Sequence, residues 1–161
     1  MRRKYPIFAL VLALIMLTAA VAWTAKGEFS EETRQLRRLE RTIGVELSSA
    51  VLEEYEDDHG GFHGDGVLTA VVTFPSQEEV QEFANSLPDT WRQLPVENGL
   101  LGTVRTVWSD LPQVERGFWF YRDRYQEQYG KVSSFNRYLQ NATFALLDTE
   151  TGRLYVLKVD F

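Results

Sequence analysis

Asp57-Asp58-His59-Gly60-Gly61-Phe62-His63-Gly64-Asp65-Gly66 lies between two strand-like runs and reads as the loop of a β-hairpin. Upstream, residues 45–52 (VELSSAVL) alternate in part, as a half-buried strand does. Downstream, residues 67–74 (VLTAVVTF) are rich in β-branched side chains and supply the partner strand. The loop holds both histidines of the chain and four of its 11 glycines. Hairpin connections are usually about two to five residues long, so this one is overlong. Length alone proves no use, because a longer loop costs little extra closure entropy.

Working outward, Pro75 ends the second strand and Ser76-Gln77-Glu78-Glu79 reads as a capping box. The helix it opens carries Val80, Phe83, Ala84 and Leu87 on one face and stops at Pro88. Before the hairpin, Ser30 caps a helix from Glu31 to about Thr42, with acids in its first turn and a narrow stripe of Leu36, Leu39 and Ile43. Beyond the second helix, Pro95, Gly99, Gly102 and Pro112 punctuate the chain, and residues 104–108 (VRTVW) read as a short strand. Residues 117–123 (GFWFYRD) read as a strand apolar on both faces, as a central strand is. Residues 125–140 are polar and read as a loop or frayed helix. A closing hairpin pairs residues 142–147 with 154–159 about Asp148-Thr149-Glu150-Thr151-Gly152, where Gly152 suits a left-handed turn position. The order predicts an α+β fold: an antiparallel sheet with one or two helices packed on one face.

The amino terminus stands apart. Arg2-Arg3-Lys4 precedes residues 7–23, an apolar run interrupted only by Thr18. As a helix it spans roughly 25 Å, the lower limit for a membrane crossing. The basic flank stays in the cytoplasm and sends the rest outside, so the chain is expected to be a single-pass membrane protein. Ala20-Val21-Ala22 also offers a signal-peptidase pattern, so secretion after cleavage is the alternative. Residues 1–26 are therefore an anchor or signal segment, and 27–161 a single extracytoplasmic domain. In the anchored case the membrane is itself a partner.

The net charge is −6; without Arg2, Arg3 and Lys4 the body keeps 14 basic against 23 acidic residues, or −9. That sign argues against nucleic acid and anionic lipid surfaces, which need a basic footprint. There is no cysteine, which excludes disulfides, thiolate metal sites and a thiol nucleophile.

Reactive side chains gather only in the overlong loop. Asp58, His59, Gly60, Gly61, Phe62, His63, Gly64 and Asp65 form a candidate contact surface for an unidentified protein or cell-envelope ligand, because ordered exposed loops often carry function. His59, His63 and Asp65 are an alternative ligand set for zinc or another divalent cation, structural or hydrolytic. A third reading is structural: the carboxylates and histidines bond to the loop's own amides and fold a compact turn. No nucleophile or positioned water accompanies the histidines, so no catalytic residue is assigned and no cofactor is required. Glu53, Glu54, Glu56, Asp57 and Asp58 make an acidic lead-in, either a solvated edge or a feature that attracts cations, basic peptides or cell-wall amines. Asp148 and Glu150 hint at a calcium loop, but its twelfth position would be Val159, where a bidentate acid is required.

The runs Gly44-Val45-Glu46-Leu47 and Asp58-His59-Gly60-Gly61-Phe62-His63-Gly64-Asp65-Gly66 resemble a family of small exported or membrane-anchored proteins of Gram-positive bacteria that shares a DxHGGFxGDG-type loop. Residues 118–124 resemble that family's aromatic element, and Ala145-Leu146-Leu147-Asp148-Thr149 with Leu154-Tyr155 its terminal strand pair. The likeness covers about residues 40–161. The family has no assigned activity, so the resemblance implies a fold unit and an exported location rather than a reaction. Lipid-anchored members carry a cysteine that this chain lacks, which leaves the apolar segment as its only tether.

Overall fold

The computed structural model describes residues 30–60, 64–130 and 139–161. The chain divides into two units, residues 1–37 and 38–161. The expected anchor or signal segment lies outside the described residues, among which no helix is long and apolar enough to cross a membrane.

Helix α1 (Glu31–Ile43) begins as its sequence dictates: Ser30 Oγ accepts from the Thr33 amide at 3.1 Å, and Glu31 and Glu32 occupy the first turn. Strands β1 (Val51–Asp57) and β2 (Gly66–Thr73) form the predicted hairpin. Helix α2 (Gln77–Ser86) follows, with Ser76 Oγ accepting from the Glu79 amide at 3.2 Å and Val80 and Phe83 buried. Two residues of β3 (Arg92–Gln93) precede helix α3 (Asn98–Val107). Strand β4 (Gly117–Asp123), the short helix α4 (Arg124–Tyr129) and the closing hairpin β5 (Ala142–Asp148) and β6 (Arg153–Asp160) complete the order.

The fold is α+β, with one antiparallel sheet in the order β1-β2-β6-β5-β4-β3. The two hairpins join where β2 pairs β6, from Gly66 opposite Asp160 to Thr73 opposite Arg153. That register sets the root of the 57–66 loop beside the carboxyl-terminal end of β6. The closing turn is held by Asp148, whose carboxylate accepts from the Glu150 and Thr151 amides at 2.9 and 3.3 Å, and by Gly152 at φ 72°. Asp148 therefore serves the turn, as expected.

Alternation along the strands divides the sheet into two faces. The first carries Val71, Trp119, Phe144, Leu146, Tyr155, Leu157 and Val159, and Val104 of α3 buries against them. The second carries Leu68, Ala70, Val72, Phe120, Ala145, Leu147, Leu154 and Val156, all buried. Helix α2 covers part of it through an aromatic relay in which Phe83 meets Phe74 at 4.6 Å and Trp91 at 6.4 Å, and Trp91 stacks on Phe120 at 5.6 Å. Arg38 of α1 reaches Asp57 on this same face.

Four of the expectations need correction. Helices lie on both faces rather than one, and there are four among the described residues rather than one or two. Residues 104–108 belong to helix α3, where Val104, Val107 and the preceding Leu100 and Leu101 form an apolar face at helical spacing. The first hairpin strand runs over Val51–Asp57 instead of 45–52: Leu47 and Ala50 are buried in irregular chain, and the acidic lead-in is itself strand. Strand β4 is not central, since its outer neighbour is only the two-residue β3; its buried aromatics are covered by Trp91 and by α3.

Candidate functional site: the hairpin loop and an acidic groove

The loop closes through its carboxylates. Asp57 Oδ1 accepts from the His59 amide at 3.2 Å and lies 2.5 Å from His59 Nδ1. Asp57 Oδ2 pairs with Arg38 and accepts from the Tyr55 hydroxyl at 3.4 Å. Asp58 exchanges bonds with Val67: its amide donates to the Val67 carbonyl at 3.1 Å, and its Oδ1 accepts from the Val67 amide. The Gly60 amide donates back to the Asp58 carbonyl at 2.6 Å.

This folding lays the His59 backbone against Gly66. A Cβ on Gly66 would stand 2.7 Å from Asp58 Oδ1 and 2.8 Å from both N and Cα of His59. Only glycine admits that approach. Gly64, at φ 72°, takes the left-handed conformation that glycine favours.

His59 points inward. Its side chain is 7% exposed, and Nε2 faces Asp160 Oδ2 at 3.2 Å, out of line for a hydrogen bond. Asp160 is also held by Lys158 and by Arg124, which donates in turn to Thr143 Oγ1 at 2.6 Å and the Val159 carbonyl at 3.0 Å. The network runs from Arg38 through Asp57, His59 and Asp160 to Arg124. It ties the loop to α1 and to the end of β6. Burial alone would raise the Asp57 carboxyl, but the His59 bonds and the Arg38 charge outweigh it, so Asp57 titrates below the ordinary carboxylate range. Asp160 is lowered likewise: burial opposes ionisation, and Lys158 and Arg124 more than offset it.

Of the residues singled out in the sequence, then, His59 has a buried side chain, Asp58 is exposed but bonded to Val67, and Gly60, Gly64 and Asp65 are exposed. Gly61, Phe62 and His63 lie outside the described residues, and with His63 so does the zinc set of His59, His63 and Asp65. Among the described residues, no group of three His, Asp or Glu side chains could hold a metal ion. The two nitrogens of His59 face opposite ways, each toward a carboxylate already paired with a cation. Asp57 and Asp58 fit the reading in which loop carboxylates fold their own turn.

Beside the loop lies a cleft of about 890 Å³ on the first face of the sheet. Its floor is Val67, Thr69, Val71 and Tyr155, and its far wall is the end of α3 with residues 108–112. Trp108 and Tyr155 meet edge to face at 6.0 Å. Burial raises the Tyr155 phenol above its ordinary value, so it stays a neutral hydroxyl near pH 7. Glu54 and Glu56 enter from β1 and Asp110 from the far wall. Among the described residues the one lining cation, Arg153, pairs with Glu53 at 3.1 Å. Among the described residues Glu54, Glu56 and Asp110 form no salt bridge. Their charge is therefore uncompensated inside a concave, partly apolar site, which focuses negative potential.

Glu54 and Glu56 of this groove stand out in the sequence, but Asp110 and the walls do not. Positions 54, 56, 108, 110 and 155 share no local period, and only the strand order brings them together. The aromatic pair was concealed by the strand expected at 104–108. No family model, no curated protein and no solved structure matches the chain.

Proposed function

We propose that this chain is a non-enzymatic binding domain, exported and either tethered by its amino-terminal segment or secreted, and that it takes a cationic ligand in the groove beside the first hairpin. One observation carries the reading: Glu54, Glu56 and Asp110, without salt-bridge partners among the described residues, line the same cleft of about 890 Å³ as the Trp108–Tyr155 pair. Carboxylates attract an amine or guanidinium, and an aromatic face adds cation–π attraction of about 0.5–1 kcal/mol at an exposed site. The contact surface moves from the loop tip expected from sequence to the strand leading into it. Asp57 and His59 contribute by holding the hairpin in place.

Calorimetric titration of the full-length chain in detergent with spermine tests this. Binding weakens about tenfold when Glu54→Gln, Glu56→Gln and Asp110→Asn are combined, as expected for three exposed charge pairs of about 0.2–1 kcal/mol each. Unchanged affinity in that variant, or no binding by the native chain, refutes the assignment. An intact-cell protease assay checks the export half: the body is cleaved from outside if it is displayed there.

A further inference from the structure

We infer that the ligand is an extended basic peptide that adds to the sheet as a seventh strand along the free edge of β1. The inference rests on the cationic-ligand reading and names the ligand's class and its mode of attachment.

Among the described residues, strand β1 is the first in the sheet order and has a neighbour only on the β2 side. The Asp58 amide donates to the Val67 carbonyl, and the register continues through Glu56 opposite Thr69 and Glu54 opposite Val71. Antiparallel ladders alternate, so Glu54 and Glu56 turn their amides and carbonyls toward β2, in phase with the Asp58 amide. Tyr55 and Asp57 therefore turn theirs outward, and no described residue bonds to those backbone groups. An irregularity at residues 52–54 breaks the register, so the straight stretch on offer is Glu54 to Asp57.

Side chains define the occupant. A strand bonded to Tyr55 and Asp57 sets two of its own residues, spaced i and i+2, directly opposite Glu54 and Glu56 on the groove face. Cross-strand neighbours stand about 5 Å apart at Cβ, within reach of opposite-charge pairing. Two basic residues at that spacing meet the two unpaired carboxylates, and the longer of their reaches extends toward Trp108. A second copy of this chain is disfavoured at the same edge, because antiparallel pairing of β1 with itself puts Glu54 against Glu56 twice, and like charges opposite each other destabilise. Acidic side chains on an edge strand thus block self-association while admitting a basic strand.

The test uses fluorescence anisotropy of the full-length chain in detergent with three probes. One is a short peptide alternating lysine and valine. The second is its twin, N-methylated at the alternate amides that would face β1, with identical charge. The third is spermine, which has charge and no backbone. Strand addition predicts that the peptide binds, that N-methylation weakens it about tenfold or more, and that Glu54→Gln with Glu56→Gln weakens it by a similar factor, on the order of 1.4 kcal/mol. Equal binding of the peptide and its methylated twin, with dependence on Glu54 and Glu56 retained, overturns strand addition and leaves the cationic groove standing. Failure of spermine and both peptides to bind overturns the groove as well. A concentration-dependent dimer abolished by Tyr55→Pro would show that the edge serves a second copy, and would overturn the peptide.

Discussion

Gly66→Ala is the substitution that most directly challenges this account of the hairpin. Two of the three atoms that a new Cβ would meet inside 3.0 Å are backbone atoms of His59, and the third is the Asp58 carboxylate oxygen that accepts from Val67. No side-chain rotation relieves the backbone contacts, so the loop must lift away from β2. Overpacking of this kind costs about 1–3 kcal/mol. Lifting the loop also strains the Asp58–Val67 bond to a charged acceptor, worth about 1.5 kcal/mol or more. The sum is about 2.5–4.5 kcal/mol, and at roughly 4 °C per kcal/mol for a domain of this size it lowers the melting temperature by about 10–18 °C. Gly60→Ala is the control, because its Cβ meets nothing nearer than the Asp58 carbonyl oxygen at 3.8 Å. It should stay within about 0.5 kcal/mol of the native chain, the usual range for a surface change. Thermal unfolding followed by circular dichroism on the two variants, full-length and in the same detergent, measures the difference. Equal melting of the two, or a Gly66→Ala chain that melts with the native protein, would refute the closed loop.

Acid should destabilise the domain through Asp57 and Asp160. Their folded-state values are depressed, so their contribution is fully present above the unfolded carboxylate value near about 4 and is lost as the pH falls through the lower folded values. Denaturant melts between pH 6 and 2.5 should show that loss, and Asp160→Asn should flatten it; a slope unchanged by Asp160→Asn would remove Asp160 from the network. Chelation should leave the melting temperature unchanged to within about 1 °C, since the folded state would then owe nothing to ligand binding, and both nitrogens of His59 already face carboxylates paired with Arg38 and Arg124. A drop with chelator, restored by zinc, would instead identify a metal held with the help of His63.

Local signals were legible in the sequence to the extent that their physics is local. The capping serine at 76, the buried Val80 and Phe83, the turn at Gly152 and the long connection between β1 and β2 each follow from a few adjacent residues, and each stands where expected. The errors came where tertiary contacts outweigh propensity. Val104-Arg105-Thr106-Val107 has the β-branched content of a strand, yet Leu100, Leu101, Val104 and Val107 share one helical face that the core accepts. Residues 45–50 alternate like a strand, yet Leu47 is fixed by its amide's bond to Glu40 at 2.8 Å and by burial. The acids of β1 looked like a lead-in because four carboxylates in seven residues oppose strand formation by propensity. An edge strand tolerates them, since its side chains meet solvent and its ladder is one-sided.

That distinction also separates two uses of one run of acids. Asp57 and Asp58 are committed: one carboxylate bridges Arg38 and His59, and the other receives the Val67 amide. Any ligand that competed for them would have to break the bonds that close the hairpin. Glu53 is committed as well, to Arg153. Glu54 and Glu56 carry charge that the fold does not use, on the face where Trp108 and Tyr155 meet. His59, one of the loop's two histidines, is consumed in building the edge that displays them. Substituting His59 should therefore impair binding only as far as it loosens β1, whereas substituting Glu54 and Glu56 should impair binding with the melting temperature preserved. The two classes of variant, compared for affinity and stability together, tell a scaffold residue from a contact residue.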